Sequence, residues 1–432
     1  MKLSETAHAA AYVQPGTAQE VAEALTIIKK TGSKFAIRTS GHTPNPGFSS
    51  VNETGVVIDL RRLNSISLDE NNLLRAGSGS TWGQVYPFLE GKQLSATGGR
   101  DPAVGVAGFL LGGGLPALPN LFGLGADGVK NFQVVLANST IVNANAESNP
   151  ELYRALKGGG SNFGIVTQLD IITYPLVKIQ YTINLYDCSD YLNIINATVK
   201  VQQAMEMDPK IGLFTNFHSA FVAVGLLYGD WSEEKPKAFD PFTNLTSLMT
   251  AVAPTTNGTL SSLSGAMAHL QEPQKRTIGS VTTKVSTDLY VEVYKSYLEV
   301  INGLPSGITL HYTIQPVSST GVQVGEDRGG NTMGLEKVSQ CWWVFTAEWP
   351  KEADDAAAQQ AVDTMTQTVQ ALAEKRSLLL SYLSMSFANS SQEVLRSYGA
   401  ENVKEMQGAA AKYDPDGVFQ KLQNDGFLLR SV

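Results

Sequence analysis

Apolar residues Val21, Leu25 and Ile28 recur three to four positions apart among polar neighbours, the period of a helix with one buried face. Thr17, with Glu20 three residues on, reads as a capping-box start, and Gly32 as a natural stop. Lys34-Phe35-Ala36-Ile37-Arg38 follows as a short strand and runs into a turn rich in glycine and proline. Gly55 to Leu60 and Phe132 to Ala137 are continuous apolar runs, as expected of strands buried on both faces. The second run turns at Asn138-Ser139 and returns as Thr140-Ile141-Val142. Asn149-Pro150 is expected to open another helix, with Asn as cap and Pro in its first turn, ending at Gly158. The first 175 residues therefore read as an α+β unit of mixed strands.

From about residue 176 the texture changes: glycine thins out and longer segments appear. The pattern predicts helix over 187–206 and over most of 239–303, then an aromatic strand at Trp342 to Ala347. Glu352 to Lys375, rich in Ala, Gln and Asp, is a further helix. Strands and helices in one block suggest a sheet covered by helices on one face. Lys412 to Phe419 reads as a helix end followed by a turn.

Composition narrows the function classes. The 432 residues are 43% hydrophobic and 17% charged, enough for a large core in two or three folding units. The net charge of −8, with no basic block, argues against a nucleic-acid partner. No apolar stretch of about 18 residues suggests a membrane span. The start, Met1 to Thr6, lacks an apolar region of the kind a signal peptide needs, while six Asn-x-Ser/Thr sequons permit secretion. Two cysteines, Cys188 and Cys341, exclude a disulfide-rich scaffold and a Cys-rich zinc site. Five scattered histidines (His8, His42, His218, His269, His311) argue against a His-rich metal site, and no metal is expected. Walker, His-Glu-x-x-His, Cys-x-x-Cys and Gly-x-Ser-x-Gly motifs are absent. Gly77-x-Gly79-x-x-x-Gly83 has the wrong spacing for a dinucleotide fingerprint and reads as a strand end before a helix.

Glycine is where chemistry concentrates: 23 of the 40 lie in the first 175 residues. In Arg38-Thr39-Ser40-Gly41-His42-Thr43-Pro44-Asn45-Pro46-Gly47, a strand feeds a loop of small residues with free backbone N–H groups, the requirement for cradling a pyrophosphate. Taken alone, His42 would be a surface loop histidine. In Gly98 to Gly114, glycine alternates with small apolar residues, so backbone can approach a flat ligand closely. Lys157-Gly158-Gly159-Gly160-Ser161-Asn162-Phe163-Gly164-Ile165-Val166 holds four glycines where a helix cap needs one or two.

In this order and spacing the three clusters resemble the p-cresol methylhydroxylase-type FAD domain of the vanillyl-alcohol oxidase superfamily, most closely its berberine bridge enzyme-like branch of fungal type. The resemblance extends through Tyr12-Val13-Gln14-Pro15, Asp127 to Ala137, Arg328-Gly329-Gly330-Asn331 and Tyr413-Asp414-Pro415. It implies an α+β fold: a two-part FAD-binding domain of p-cresol methylhydroxylase type, plus a substrate domain with an antiparallel sheet covered by helices. The expected division is 1–175 for FAD, 176–388 for substrate and 389–432 as a C-terminal return to the FAD-binding domain. The family's usual leader and first residues are absent, as if the chain began near the edge of that domain. The family suggests secretion or the endomembrane system, and the compartment stays open.

The resemblance also assigns roles. His42 corresponds to the histidine bonded to the flavin 8α-methyl, within a loop (Arg38, Thr39, Ser40, Gly41, Thr43, Gly47) that wraps the pyrophosphate. Asp101 stands where many members place a second, cysteinyl tether, so the expected FAD is monocovalent. Losing the thioether should lower the flavin's potential and open its face. Val104 matches the gatekeeper associated with oxygen reactivity. Gly99, Gly105, Gly108 and Gly112 should line the cofactor on one side, and Gly160, Asn162, Gly164 and Val166 on the other, with Arg100 and Asp127 in support. The pattern breaks at the catalytic base. The Asn-Tyr pair of plant members appears as Asn389-Ser390, and serine is a poor base. Asn389 is expected near the flavin. The strand carrying a Glu or Gln in those members has Val344. Asp101, Gln315 and Tyr312 remain as candidates, with Glu348 beside them. The implied activity is an FAD-dependent oxidase, by hydride transfer to flavin N5 and reoxidation by O2. Its substrate would be a small secondary metabolite or a carbohydrate, and the protein a monomer. A redox-neutral isomerase or cyclase using Asp101, and a flavin-binding protein without turnover, are the alternatives.

Overall fold

The structure is a computed structural model that describes residues 9–268 and 274–432. His8 and His269 lie outside the described residues. The first helix, Ala18–Thr31, starts where the period placed it. Thr17 Oγ1 accepts from the Glu20 N–H at 3.1 Å, but the Glu20 carboxylate turns to the Gly16 N–H, so only half of the box forms. Gly32 ends the helix at φ 65°, a left-handed cap that glycine adopts without a Cβ penalty.

The apolar runs form two small sheets. Ala11–Val13, Gly55–Asp59 and Lys34–Arg38 pair in parallel, the Gly55 strand central. Five antiparallel strands follow in the order Ile66–Leu68, Leu74–Gly77, Ile165–Ile171, Val129–Val135, Ile141–Ala144. The helix Pro150–Leu156 has Asn149 at its start in the left-handed region, φ 55°. The Asn149 amide is not the cap expected of it, because it donates to the Asn143 carbonyl instead, at 2.7 Å.

An eight-stranded antiparallel sheet fills the middle of the chain. Its order is Leu248–Thr259, Lys178–Tyr186, Val222–Tyr228, Ile211–Phe217, Thr309–Val317, Gln340–Trp349, Lys275–Lys284, Leu379–Leu380. Helices Tyr191–Met205, Thr287–Asn302 and Asp355–Glu374 cover one face through a core that includes Phe217, Tyr290, Tyr297, Tyr312 and Trp343. The expectation of helix over most of 239–303 is corrected here. Helices Asp240–Thr243, Leu260–Ala266 and Thr287–Asn302 are interrupted by the strands Leu248–Thr259 and Lys275–Lys284. Lys275–Lys284 is rich in β-branched Thr, Ile and Val, which suit a pleated, buried surface. Leu248–Thr259 lies at the sheet edge, where Pro254 is tolerated and few side chains are buried, so its pattern carries no periodic signal.

The tail packs back on the first sheets. Phe35 bridges Gln423, and the helix Ala400–Tyr413 lies on Pro150–Leu156 through Arg154 with Glu405 and Asn402. No helix among the described residues is long and apolar enough to cross a membrane.

Candidate active site

The glycine clusters meet because backbone packs against backbone where no side chain fits. Gly41 has φ 72° in the loop that leaves Lys34–Arg38. A Cβ on Gly105, at the start of the short helix Val106–Leu111, would lie 2.7 Å from Ser40 Oγ. The loop and that helix therefore touch only because residue 105 is glycine. Together with Gly160–Val166, the turn Met385–Phe387 and the tail Gln423–Phe427, they line one side of a cavity of about 1100 Å³. That exceeds the usual range of about 300–1,000 Å³ for small-ligand sites. The opposite side is the bare face of the eight-stranded sheet, with Ile183, Leu185, Phe214, Phe221, Ala223 and Val344 as apolar walls.

Of the residues singled out in the sequence, Thr39, Ser40, Gly41, His42, Thr43, Gly99, Asp101, Val104, Gly105, Gly108, Gly112, Gly160, Gly164, Val166 and Gln315 line this cavity, as does Arg100. Others lie elsewhere. The Arg38 guanidinium folds over Gly41 outside the lining. Gly47 packs against Asn424 and Asp425. Asn162 is buried and clamps the tail: its amide donates to Phe427 O at 2.9 Å and accepts from the Leu429 N–H at 2.9 Å. Asn389 Oδ1 accepts from the Ser391 N–H and hydroxyl, a local turn away from the cavity. Asp127 is buried under the helix Ser319–Asp327, bonded to Asn331 and the Leu124 N–H. Tyr312 is corrected outright. Strand alternation sends its ring into the helix-covered core, stacked on Phe217 at 4.8 Å, so it cannot reach a substrate.

The cradle fits a flavin dinucleotide. Gly108 sits inside a helix yet is exposed, and a Cβ there would have only Thr39 Oγ1, at 4.0 Å, within reach. A helical glycine facing open space costs stability unless something else fills that space. Arg38 Nε, Ser49 Oγ, Ser80 Oγ and Trp82 Nε1 are buried around the same loops without partners in the protein.

Charges in the cavity are few and placed. Burial pushes the His42 imidazole below its ordinary pKa; Asp101 opposes this and Arg276 adds to it. Asp101 Oδ1 accepts from the Ala103 N–H at 2.8 Å. Arg100 donates to Gln315 Oε1 at 2.6 Å and lies over the Phe214 ring; burial draws it down to about 10. Arg276 pairs with Glu348 on the sheet. Among the described residues no His, Cys, Asp and Glu cluster could hold a metal ion.

Reading the sequence missed His218 and His311. Both line the cavity, rings stacked at 5.3 Å, although 93 residues separate them along the chain. The available signal was period-two alternation: Asn216 and His218 fall on one face of their strand and its end, and His311, Thr313 and Gln315 on one face of another.

A glycine cradle for a dinucleotide, opposed by an antiparallel sheet that completes a cavity of mixed polarity, defines a flavin-dependent oxidoreductase. Residues 9–145 match the family model described as an FAD binding domain. The chain is 35% identical over 429 residues to "FAD-dependent monooxygenase yanF" of Aspergillus niger, covering 98% of this chain and 73% of that protein. It is equally 35% identical to "FAD-dependent monooxygenase macF" of Penicillium terrestre, covering 98% and 82%. Its fold is similar to that of the glucooligosaccharide oxidase of Acremonium strictum, with a TM-score of 0.83 at 18% identity over 96% of this chain and 91% of that one. The chain belongs to the same family of FAD-linked oxidoreductases as these fungal FAD-dependent monooxygenases.

Proposed function

We propose that this protein oxidises a small, largely apolar hydroxylated organic molecule of the secondary-metabolite kind, with FAD tethered at His42 and O2 as the final acceptor. One observation carries this reading: the glycine cradle and the sheet face open into the same cavity. Bound there, FAD supplies the redox chemistry, taking a hydride equivalent from substrate and passing the electrons to O2.

In this reading residues 1–175 and the return 389–432 hold the cofactor, and 176–388 present the substrate. His42, kept neutral by burial, offers a free nitrogen lone pair for the bond to the flavin 8α-methyl. The glucooligosaccharide oxidase of Acremonium strictum carries a 6-S-cysteinyl, 8α-N1-histidyl FAD. With Asp101 at the cysteinyl position here, the tether is single. Val104 leaves room for O2 at the flavin. Arg100, fixed by Gln315, orients the polar end of a ligand. Phe214, Phe221, Ile183, Leu185 and Val344 exclude water and favour a hydrocarbon skeleton over an oligosaccharide.

The relatives' names support a second reading, in which the substrate supplies two electrons, one oxygen atom of O2 enters the product and the other leaves as water. Anaerobic mixing with a panel of hydroxylated metabolites, followed by isotopically labelled O2, tests both. Bleaching of the flavin's visible band, then hydrogen peroxide with no label in the product, is the expected result. Label in the product establishes oxygen transfer. Product without bleaching overturns both in favour of an isomerase. No bleaching by any compound, with slow reoxidation of chemically reduced flavin, means a binding protein.

A further inference from the structure

Arg100 starts on one side of the cavity and ends on the other. Its backbone belongs to the glycine-rich stretch Gly98 to Gly114 on the cradle side. Its guanidinium lies against the sheet face, 5.4 Å over the Phe214 ring, with Nη2 donating to Gln315 Oε1 at 2.6 Å. The charge is therefore set on the wall that faces the cradle rather than under the glycine loops. A guanidinium withdrawn from water is ordinarily matched by a carboxylate. Among the described residues the one hydrogen-bond partner of Arg100 is a neutral amide. Burial lowers its pKa only to about 10, so it stays charged at neutral pH.

The acids of the cavity are committed elsewhere. Asp101, the next residue along, accepts from the Ala103 N–H at 2.8 Å and acts on His42. Asp425 accepts from the Gly426 N–H at 2.8 Å in the tail. Glu348 pairs with Arg276 and stands opposite Thr309, whereas Gln315 stands opposite Trp342, six residues along the same strand. At about 3.4 Å per residue, roughly 20 Å of sheet separates that ion pair from Gln315 and the guanidinium it holds. Donors and apolar walls surround Arg100 instead. A guanidinium only donates, so Gln315 must turn its oxygen toward it, which leaves the Gln315 NH2 as a further donor on the cavity wall. Thr313, two residues away on the same face, accepts from the Asn216 amide at 2.7 Å and keeps its O–H to donate.

We propose that Arg100 selects the substrate by receiving a carboxylate carried on an apolar skeleton, with the Gln315 NH2 as a second donor beside it. This rests on the function proposed above, and it names an acid group that the oxidised molecule bears apart from its hydroxyl. The role is binding and orientation, with no bond made or broken at Arg100. A carboxylate presents two coplanar oxygens, which match two N–H groups of one guanidinium. Its single charge balances a single cation that the protein leaves unmatched. A phosphate ester, at about −1.5 to −2 near neutral pH, would bring more charge than this wall can meet. An alcohol or a neutral amide in the same place would leave the guanidinium without a counter-charge. Anchored at this end, the hydrocarbon part lies along Phe214, Ile183, Leu185 and Val344.

1-Naphthoate and its neutral isostere 1-naphthamide, each titrated into the oxidised holoprotein, test this without turnover. Calorimetry and the change in the flavin's visible spectrum report binding. The acid should bind about 10- to 150-fold more tightly than the amide, the worth of hydrogen bonding between charged partners. Arg100→Met should erase that preference by weakening the acid alone, with flavin content and amide affinity unchanged, an effect a merely structural residue would not produce. Arg100→Lys should keep part of the preference, because the charge remains while the fork is lost. Acid and amide that bind equally well, or that both fail to bind, overturn the proposal, and this comparison needs no variant to fold. An Arg100→Met protein that still prefers the acid overturns it too; a lowered flavin reduction potential in that protein would assign the charge to the reduced cofactor instead. A holoprotein that selects the acid but whose flavin no hydroxylated compound reduces overturns the oxidase reading and leaves the anchor in place.

Discussion

Gly108→Ala separates the cofactor's claim on the cradle from the protein's own. Gly108 lies inside the helix Val106–Leu111, is exposed to the cavity, and has one atom within reach of an added methyl, Thr39 Oγ1 at 4.0 Å. Within the protein the substitution is favourable, since alanine in a helix is better than glycine by about 0.5–1 kcal/mol. The flavin-free protein should melt about 1–2 °C higher. If the open space belongs to FAD, the same methyl intrudes on the ligand at an overpacking cost of about 1–3 kcal/mol, which weakens binding about 5- to 150-fold. The affinity is best measured in a His42→Ala background, where binding is reversible, by fluorescence titration of FAD. Gly105→Ala is the control: its Cβ would lie 2.7 Å from Ser40 Oγ, so both the apoprotein's stability and its affinity should fall. A Gly108→Ala protein that melts higher and binds FAD as tightly as its parent would refute the reasoning, because the cavity beside this helix would then not be the flavin's.

Other substitutions probe the sheet. The lowered pKa of His311, about 4, means the unfolded chain binds more protons than the folded one between about pH 6.5 and pH 4. Stability therefore falls as the protein is acidified through that window, by roughly 3 kcal/mol. His311→Gln should flatten that acid limb in denaturant melts taken at several pH values; an unchanged limb contradicts the assignment. Tyr312→Phe removes a buried hydroxyl that has no partner. It should leave turnover unchanged and stability equal or higher by about 1 kcal/mol; a large loss of activity would return Tyr312 to the site.

Much of the cofactor side was legible because its requirement is local. A loop that must turn at Gly41, or let Ser40 approach Gly105, needs glycine at those positions, and sequence records it directly. Long apolar runs such as Gly55 to Leu60 betray buried strands for the same reason. The substrate side was not legible, because its chemistry is assembled by register. Nothing near His218 in sequence points to His311; they meet because Asn216 pairs with Thr313. The same register decides that Gln315 faces the cavity while Tyr312, three residues earlier, faces the core. The strand Lys275–Lys284 was hidden within a stretch read as helical, and with it the place of Arg276 opposite Glu348. The roles imputed to Asn162 and Asn389 by resemblance give way to structural ones, since their side chains bond to the tail and to a local turn.

The central claim is that the glycine-lined cradle carries FAD bonded to His42, and acid precipitation of the purified protein tests it most directly. Yellow colour that stays with the precipitate, and is lost from the precipitate in His42→Ala, is the predicted result. Flavin released into the supernatant by the wild-type protein would contradict it.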